Sequence, residues 1–379
     1  MKKVLIISFS EIWRDPRVMR QIRLLESDCD VTVAGFGDRP EANIRFVELL
    51  RQQQRASLPR KLLWALKLLL GWAESYYWNQ YEVVTAARLL SDTAPDLIIA
   101  NDLPALPLAL RLAKGKPVVY DAHEYSPREN EERWAWRLLF GRYNDALCRR
   151  HLPQVDSMLT VCQGIADEYA RNYGVRPLVV HNAPQRQPLS PSPLDGTSIR
   201  MIHHGVASRS RQLELMIEIM NHLDQRFTLD LMLIEGETEY MQLLRQKAQH
   251  DPRIRFVDPV PMSQICQRTN AYDVGLFFLP PNSFNYRYAL PNKFFEFVQA
   301  RLAIAIGPSP EMAALVRKYE CGVVAESFEP SALARLLQNL DPAGLTSLKA
   351  ASHRAAEELC FEQAAPIVLS EVRRLGGLG

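Results

Sequence analysis

The sequence predicts an α/β protein with two doubly wound, Rossmann-like domains. Short apolar runs alternate with helix-length amphipathic segments, which is the pattern of a parallel sheet covered by helices. The alternation stops once, at a proline-rich stretch, and then restarts. The chain also has 379 residues, which is more than one hydrophobic core normally serves. We therefore expect two domains that face each other across a cleft.

Six apolar runs predict the strands of an N-terminal domain, residues 1–184. Most of them are continuous Val, Ile and Leu runs, as expected of parallel strands covered on both faces. The segments between them repeat every 3.6 residues, as residues 18–25 do, and predict helices. The predicted strands are Val4–Phe9, Val31–Gly35, Leu97–Ala100, Val118–Asp121, Met158–Val161 and Leu178–His181.

A break in this rhythm predicts the domain boundary. Residues 182–196 contain four prolines, two serines and no apolar period, so we place a linker at residues 185–198. A C-terminal domain follows at residues 199–360, and residues 361–379 predict a last amphipathic helix whose packing partner the pattern does not identify. The predicted strands of this domain are Ile199–His203, Leu229–Ile234, Ile254–Val257, Val274–Leu279, Ala303–Gly307 and Gly322–Val324.

The composition is typical of a globular protein, with 47% hydrophobic and 23% charged residues. The net charge of +2 gives no reason to expect a nucleic-acid partner. Six scattered cysteines without a Cys-x-x-Cys pair argue against a zinc site and for a reducing compartment. The N-terminus predicts a strand rather than a signal peptide, and no run of 18 apolar residues is present. We therefore expect a cytoplasmic protein.

Residues 288–300 are the most informative segment. A proline-led loop opens an apolar helix that carries one acidic residue, Glu296, about a turn inside. The first N–H groups of a helix and its dipole attract anions, and Lys293 adds a full positive charge beside Asn292. Since a carboxylate can accept hydrogen bonds from a ribose diol, the segment predicts a site for a nucleoside diphosphate. A capped amphipathic helix with an isolated Glu is the structural alternative.

A turn of small residues follows the first strand of the second domain. It begins at Gly205 and presents Arg209 and Arg211 just before the predicted helix 213–223. Arginine pairs bidentately with phosphate oxygens, so both arginines are candidates for clamping the diphosphate. Two solvated arginines near a helix are the structural alternative.

Two polar residues follow the strand Val118–Asp121, where a doubly wound fold places its ligands. His123 can hydrogen-bond a sugar hydroxyl or exchange a proton near neutral pH, and Glu124 lies beside it. A lone histidine is more often structural, but a neighbouring acid on each side favours a functional role. We take both residues as site candidates.

Residues 58–78 combine Leu, Trp and Tyr with basic residues. From residue 49 to 73 there are five basic residues and no acidic one. This composition suits an interfacial helix on an anionic membrane, with Trp64 and Trp72 inserted in the bilayer. A helix that covers the N-terminal sheet explains the apolar residues equally well. The protein is therefore expected either free in the cytoplasm or peripheral on the inner face of the membrane.

Together these segments resemble the GT-B glycosyltransferases, specifically the large retaining family 4 type. The resemblance extends over nearly the whole chain, and the Glu-x7-Glu-like segment is its most specific part. The similar segments are residues 4–8 with 15–18, residues 161–170 with 179–183, the turn 205–211, and residues 288–296 followed by 303–311.

The resemblance implies a donor site for a nucleotide sugar in the second domain and an acceptor side in the first. It assigns Glu296 to the ribose and His123 to the vicinity of the donor sugar. The turn at Gly205, with Arg211 and Lys293, is assigned to the diphosphate, and Arg17 to the acceptor-side loop. Tyr288 stands where the family has the first glutamate of Glu-x7-Glu, so the identity of the sugar stays open.

The leading hypothesis is a retaining glycosyltransferase that moves a sugar from a UDP-, GDP- or ADP-sugar to a glycan or lipid-linked acceptor. Cell-surface polysaccharide or glycoconjugate synthesis is the expected setting. Arg211, Lys293 and the helix amides would stabilise the leaving diphosphate, so no metal or other cofactor is expected. The alternatives are a sugar-nucleotide epimerase of the same fold and a catalytically silent glycan-binding protein, the latter suggested by Tyr288.

Overall fold

A computed structural model describes residues 1–52, 57–196 and 198–377. The chain divides into two compact units. The first contains Met1–Val180, Ser283–Asn285 and the C-terminal residues from Ala365 onward, and the second contains His181–Asn282 and Tyr286–Ala364. In this division, residues 185–196 of the expected linker pack with the second unit, and most of the expected C-terminal helix packs with the first.

The first unit contains a parallel sheet of 7 strands among its described residues, in the order β3-β2-β1-β4-β5-β6-β7. The strand order reverses between β1 and β4, which pair from Val4–Leu97 to Ser8–Asn101. The strands are β1 (Lys2–Glu11), β2 (Cys29–Phe36), β3 (Arg45–Glu48), β4 (Leu97–Asn101), β5 (Val118–Ala122), β6 (Ser157–Thr160) and β7 (Leu178–Val179).

Helices connect these strands. A π-helical segment, Arg137–Gly141, joins α6 to α7. The helices are α1 (Pro16–Leu25), α2 (Leu58–Leu69), α3 (Ala73–Tyr77), α4 (Tyr81–Leu89), α5 (Asp102–Ala113), α6 (Trp134–Trp136), α7 (Arg142–His151) and α8 (Gln163–Tyr173).

The second unit repeats the same design with 6 parallel strands, in the order β10-β9-β8-β11-β12-β13. Here the order reverses between β8 and β11, which pair at Val274–Met201 and Gly275–Ile202. The strands are β8 (Ile199–Ala207), β9 (Phe227–Glu235), β10 (Ile254–Phe256), β11 (Val274–Phe277), β12 (Ala303–Ile306) and β13 (Gly322–Val324).

The remaining helices lie after β8 in the sequence, and the last of them is C-terminal. They are α9 (Glu214–Met220), α10 (Thr238–Ala248), α11 (Ile265–Thr269), α12 (Phe284–Arg287), α13 (Asn292–Gln299), α14 (Pro310–Tyr319), α15 (Pro330–Gln338), α16 (Pro342–Ala355) and α17 (Phe361–Gly376). Within the described residues, no helix is long and apolar enough to cross a membrane.

The two parallel sheets confirm the predicted fold class, and all 12 predicted runs contain strand residues. The sequence did not reveal β3, because this edge strand is half-exposed and charged at both ends. The segment 58–78 is two helices rather than one. Gly71, with a φ of 72°, separates α2 from α3 in a backbone conformation that favours glycine.

A buried ion pair fixes the start of α1 against the sheet. The Nε of Arg17 donates to Oδ2 of Asp121 at 2.7 Å, and Nη2 donates to Oδ1 at 2.6 Å. Nη1 donates to the carbonyl of Val180 at 2.8 Å. Gln21 adds a hydrogen bond of 2.6 Å to the same carboxylate. Burial raises the pKa of Asp121, but the Arg17 charge and these hydrogen bonds outweigh it, so the pKa lies below its usual range.

We expect Arg17→Met to lower the free energy of unfolding by about 3–5 kcal/mol, because it leaves the Asp121 carboxylate buried without its cation. All six tryptophans lie in the first unit, so tryptophan fluorescence during urea unfolding reports on that unit alone. The matched control is Arg14→Met, which removes an exposed pair with Glu11 and should cost at most about 1 kcal/mol. Equal effects of the two substitutions would contradict this account.

Candidate functional site

The first unit has a small polar pocket at the point where its strand order reverses. Ligands of doubly wound sheets bind at such points, outside the carboxyl ends of the strands. The pocket has a volume of about 130 Å³. Its lining includes Ser8 and Ser10 from β1, Asn101 at the end of β4, Asp102 at the start of α5, and Glu124 after β5.

His123 stands beside this pocket and is held at both ring nitrogens. Its Nδ1 lies 3.2 Å from Oδ2 of Asp102, and its Nε2 lies 3.1 Å from Oδ1 of Asn101. The backbone N–H of His123 also donates to Oδ1 of Asp102 at 2.9 Å. The ring is therefore oriented by residues from the neighbouring strand end.

Asp102 is a site residue that the sequence analysis missed. It begins α5 with a φ of 60°, a left-handed conformation that Asp tolerates better than most residues but that still costs energy. Its carboxylate then reaches both the backbone and the ring of His123. The signal in the sequence was a polar pair, Asn101 and Asp102, directly after an apolar strand, which is the same signal that identified His123.

The other two candidates of the first unit differ in their exposure. Glu124 is exposed at the pocket, where its carboxylate accepts a hydrogen bond of 3.2 Å from the side-chain amide of Asn285. Arg17, expected at the acceptor side, instead lies in the core with every guanidinium nitrogen bonded. The geometry gives Arg17 a structural role and presents none of its nitrogens to a ligand.

The second unit has a cationic cradle around Gly205, near the carboxyl end of β8. Gly205 has a φ of 135°, and a Cβ added there would come within 2.7 Å of Nζ of Lys293 and 3.6 Å of Nη1 of Arg211. Glycine is therefore required both by the backbone conformation and by the close approach of Lys293. The sequence analysis assigned the turn at Gly205 and the start of α13 to the same diphosphate. The structure places the two segments next to each other.

Lys293 is a buried amine, and the carboxylate of Glu296 favours its charged form. Its Nζ lies 3.3 Å from Nε2 of His203 and 4.6 Å from the centre of the Phe277 ring. Nδ1 of His203 is 2.9 Å from the carbonyl of Leu276 and donates to it, which leaves Nε2 as an acceptor. Burial, and then the positive charge of Arg211, lower the pKa of Lys293 well below its usual range.

Glu296 lies one turn further into α13 and faces His204 of β8. Oε2 of Glu296 is 3.4 Å from Nε2 of His204. Burial and the neighbouring charge of Lys293 lower the pKa of His204 to about 3, so its ring is neutral at pH 7. His204 therefore brings no positive charge to the carboxylate of Glu296, which interacts electrostatically with Lys293. Neither His203 nor His204 was singled out in the sequence, because both lie inside an apolar strand.

The start of α13 corrects one detail of the sequence analysis. Pro291 is the residue before the helix, with extended backbone angles, and Asn292 is the first helical residue. The N–H of Phe294, in the first helical turn, is not available to an anion, because it donates to the carbonyl of Pro291 at 3.0 Å. Oδ1 of Asn292 is buried and has no hydrogen-bond partner among the described residues. The helix start thus offers a side-chain acceptor as well as backbone donors.

The two remaining candidates of the second unit, Arg209 and Tyr288, each contact a neighbouring side chain. Arg209 stacks on Tyr240, with its guanidinium 5.3 Å from the ring centre. Tyr288 is half-buried beneath Arg287, at 5.5 Å. Tyr286, which the sequence analysis did not identify, joins the loop before α13 to the turn, because its hydroxyl is 2.7 Å from that of Ser210.

No group of three or more His, Cys, Asp or Glu residues in the described ranges could hold a metal ion. The expectation of a metal-free site stays a prediction.

We expect a nucleoside diphosphate to bind with uptake of a proton by Lys293. The amine has a lowered pKa in the free protein, and a nearby phosphate raises it, so affinity should fall as pH rises. Calorimetry at pH 8, above the second pKa of a phosphate at about 6, should give enthalpies that depend on the ionisation enthalpy of the buffer. Lys293→Met should bind more weakly and without this dependence. Buffer-independent enthalpies for the unmodified protein would contradict the assignment.

Comparison with known proteins agrees with the fold. Residues 18–183 match the model of Glycosyltransferase Family 4. No curated protein matches the chain. Among solved structures, Anabaena HepE in complex with UDP and glucose superposes with a TM-score of 0.72 at 16% identity, covering 99% of this chain and 100% of HepE.

Two further solved structures superpose over the whole of both chains. Sucrose-phosphate synthase from Thermosynechococcus elongatus has a TM-score of 0.70 at 14% identity and 100% coverage of each chain. The trehalose-phosphate synthase from Burkholderia vietnamiensis, described as UDP-forming, has a TM-score of 0.72 at 10% identity, again with 100% coverage of each. The resemblance seen in the sequence is thereby confirmed: the protein has the GT-B fold, and its N-terminal part matches Glycosyltransferase Family 4.

Proposed function

We propose that the protein is a retaining glycosyltransferase that uses a UDP-sugar donor. The observation that carries the proposal is the cradle at Gly205, where Nζ of Lys293 and Nη1 of Arg211 come within 2.7 Å and 3.6 Å of the position that a Cβ would take. Two basic groups that converge on one point attract an anion, and a diphosphate supplies it. The neighbours support uridine as the base, because HepE was solved with UDP and with UDP-glucose.

Each part of the donor has a counterpart in the second unit. The diphosphate lies against Gly205, Arg211, Lys293 and the N-terminus of α13. Glu296 accepts hydrogen bonds from the ribose hydroxyls, with His204 packed against its carboxylate at 3.4 Å. Asn292, whose Oδ1 has no partner among the described residues, accepts from a hydroxyl of the sugar or the ribose. Tyr288, in place of the family's first glutamate, contacts the transferred sugar.

The chemical step breaks the bond between the anomeric carbon of the sugar and the diphosphate oxygen. Negative charge grows on the leaving diphosphate, and Lys293 and Arg211 stabilise it before and after the bond breaks. An acceptor hydroxyl attacks from the same face and gives its proton to the departing phosphate oxygen, so that the anomeric configuration is retained. His123, oriented by Asp102 and Asn101, hydrogen-bonds a sugar hydroxyl in this reaction.

A transferase is a better account than the two alternatives. An epimerase needs acid and base groups around the sugar, whereas the donor side described here is dominated by cations and neutral histidines. Slow hydrolysis of UDP-glucose by the purified protein would distinguish a transferase from a silent binding protein. Two of the three named neighbours of the same fold are sugar-phosphate synthases, which favours transfer.

The acceptor is proposed to be a glycan or lipid-linked glycan in the synthesis of a cell-surface polysaccharide or glycoconjugate. Support comes from α2, whose leucines are largely exposed. Leu62, Leu66 and Leu69 are exposed to 67%, 48% and 58% and lie on one helix face. A cover helix would bury them. Trp64, expected in the bilayer, instead packs edge-to-face on Tyr76 at 6.2 Å.

UDP-glucose binding tests the function. Unmodified protein should gain about 2.7 kcal/mol of stability at 100 times the dissociation constant, and GDP- and ADP-glucose should give smaller shifts at equal concentration. Glu296→Gln should weaken UDP binding about 10- to 100-fold, since a hydrogen bond to a charged group contributes roughly 1.5–3 kcal/mol. Slow hydrolysis of UDP-glucose should release the α anomer first, as followed by NMR.

The matched control is Glu239→Gln, an exposed carboxylate on α10, which should leave UDP affinity unchanged. If UDP fails to stabilise the unmodified protein, the proposed function is wrong. If the two variants bind UDP equally well, the ribose assignment of Glu296 is wrong.

Membrane contact is tested by sedimentation with vesicles that contain an anionic lipid. The protein should sediment with them and detach as salt rises, since each basic residue contributes about 1 kcal/mol near such a surface. Changing Arg60, Lys61 and Lys67 together to Glu should abolish sedimentation. The same charge change at Arg88, Lys114 and Lys116, exposed elsewhere on the first unit, should have little effect. If the unmodified protein does not sediment with the vesicles, the proposed membrane contact of α2 is wrong.

A further inference from the structure

A chain of buried hydrogen bonds leads from the Arg17–Asp121 ion pair to the ring of His123. Gln21 and Asn101 are its two middle members, exposed to 4% and 1%. Nε2 of Gln21 donates to Oδ2 of Asp121 at 2.6 Å and to Oδ1 of Asn101 at 3.0 Å. Nδ2 of Asn101 donates back to Oε1 of Gln21 at 3.0 Å. Oδ1 of Asn101 lies 3.1 Å from Nε2 of His123, so two amides connect the core ion pair to this histidine.

The charge of Asp121 determines which way each amide faces. The neighbouring Arg17 guanidinium holds the pKa of this carboxyl below its usual range, so it is ionised and can only accept hydrogen bonds. Gln21 must therefore turn its amide nitrogen toward Asp121, because its oxygen would be repelled. The oxygen of Gln21 then needs the amide nitrogen of Asn101. This requirement leaves Oδ1 of Asn101 facing both Nε2 of Gln21 and the ring of His123.

This orientation decides where the ring of His123 carries a hydrogen. An amide oxygen can only accept, so Nε2 of His123 has to donate to Oδ1 of Asn101. Oδ2 of Asp121, 4.0 Å from Nε2, favours a hydrogen at the same position. A neutral imidazole has one N–H, so its Nδ1 is left as an acceptor. Nδ1 lies 3.2 Å from Oδ2 of Asp102, a residue that lines the polar pocket.

In the neutral ring, Nδ1 of His123 and the carboxylate of Asp102 are therefore two acceptors that face each other. Such a pair is unfavourable unless a hydrogen lies between the two atoms. Burial raises the pKa of Asp102 against the opposing effect of His123, which favours a shared hydrogen in the free protein. A ligand hydroxyl also brings one hydrogen and can satisfy the same pair.

We infer that Gln21 is a positioning residue that acts through Asn101 on His123. It fixes the hydrogen of the neutral ring at Nε2 and so presents Nδ1, beside the polar pocket, as the acceptor for a ligand hydroxyl. The Arg17–Asp121 pair sets this orientation from the core. The acceptor role rests on the proposed transferase function, in which His123 contacts a sugar hydroxyl, whereas the position of the hydrogen does not.

Nitrogen NMR of protein labelled at histidine locates the hydrogen, because protonated and bare imidazole nitrogens have separate resonances. The spectrum of His123→Gln identifies the His123 signals by their loss. In the neutral ring of the unmodified protein, Nε2 should carry the hydrogen and Nδ1 should be bare. A hydrogen at Nδ1 alone would overturn the inference. Hydrogens on both nitrogens at every pH at which the protein is folded would overturn it as well.

Gln21→Met keeps the length of the side chain but removes both of its hydrogen-bonding groups. Asn101 can then turn its amide nitrogen toward the ring, so His123 should show a mixture of the two neutral tautomers. The matched control is Thr85→Val, which removes a buried hydroxyl that donates to the carbonyl of Tyr81 within α4. It should leave the His123 signals unchanged.

Two outcomes of this comparison would overturn the positioning role of Gln21. One is an unchanged His123 tautomer in Gln21→Met, and the other is an equal change in Thr85→Val. If Gln21→Met does not fold, the unmodified protein still tests the inference, because a bare Nε2 is incompatible with the chain of amides.

Hydrolysis of UDP-glucose relates the hydrogen to the reaction. Gln21→Met should lower kcat about 10-fold and change the affinity for UDP less than about twofold, because His123 belongs to the first unit and UDP is assigned to the second. An unchanged kcat, or an equal loss of UDP affinity, would overturn the acceptor role. If UDP binds and Nδ1 carries the hydrogen, only this inference is wrong. If UDP does not bind to the unmodified protein and Nε2 carries the hydrogen, only the proposed function is wrong.

Discussion

The reversal of strand order in each parallel sheet is the constraint on which both candidate sites depend. Parallel strands bring all their carboxyl ends to one edge, and helices diverge where the order reverses, which opens a crevice there. In the first unit that point lies between β1 and β4, and the polar pocket is lined by residues that end these strands. In the second unit it lies between β8 and β11, and the Gly205 cradle is built there. Position in the topology, more than local sequence, decides which polar residues meet.

The sequence predicted the sheets well because buried parallel strands are continuous apolar runs, and only the charged edge strand β3 lacked that signal. The residues of the cradle could also be predicted, since Gly205 lies near the end of a strand, Arg211 precedes a helix and Lys293 lies at the start of one. The burial of Arg17 could not, because a buried arginine and a ligand-binding arginine look the same in a sequence. His203, His204 and Asp102 were missed for a similar reason. Their importance comes from neighbours more than 20 residues away along the chain.

Two buried basic residues, Arg17 in the first unit and Lys293 in the second, have opposite kinds of surroundings. In the first, Arg17 and Asp121 satisfy each other with bidentate geometry, and Gln21 and a backbone carbonyl complete the set. Such a pair positions the surrounding elements and is costly to break from one side. In the second, Lys293 rests against a neutral histidine and an aromatic ring, and the nearby Arg211 disfavours its charge further. The first arrangement is complete without a ligand. In the second, a bound anion would favour the charged form of Lys293.

This contrast matches what a transfer reaction requires of its two substrates. A nucleotide-sugar donor carries its negative charge on the diphosphate, so its site needs cations that gain stabilisation as the leaving group forms. An acceptor presents a neutral hydroxyl, so its site needs oriented hydrogen-bonding groups without a strong positive field. The pocket at His123 is lined by serines, an amide and carboxylates, and it contains no lysine or arginine among its lining residues. The carboxylates there would repel a diphosphate and direct it to the second unit. Under the proposed function, this difference in charge would direct the two substrates to two sheets of similar design.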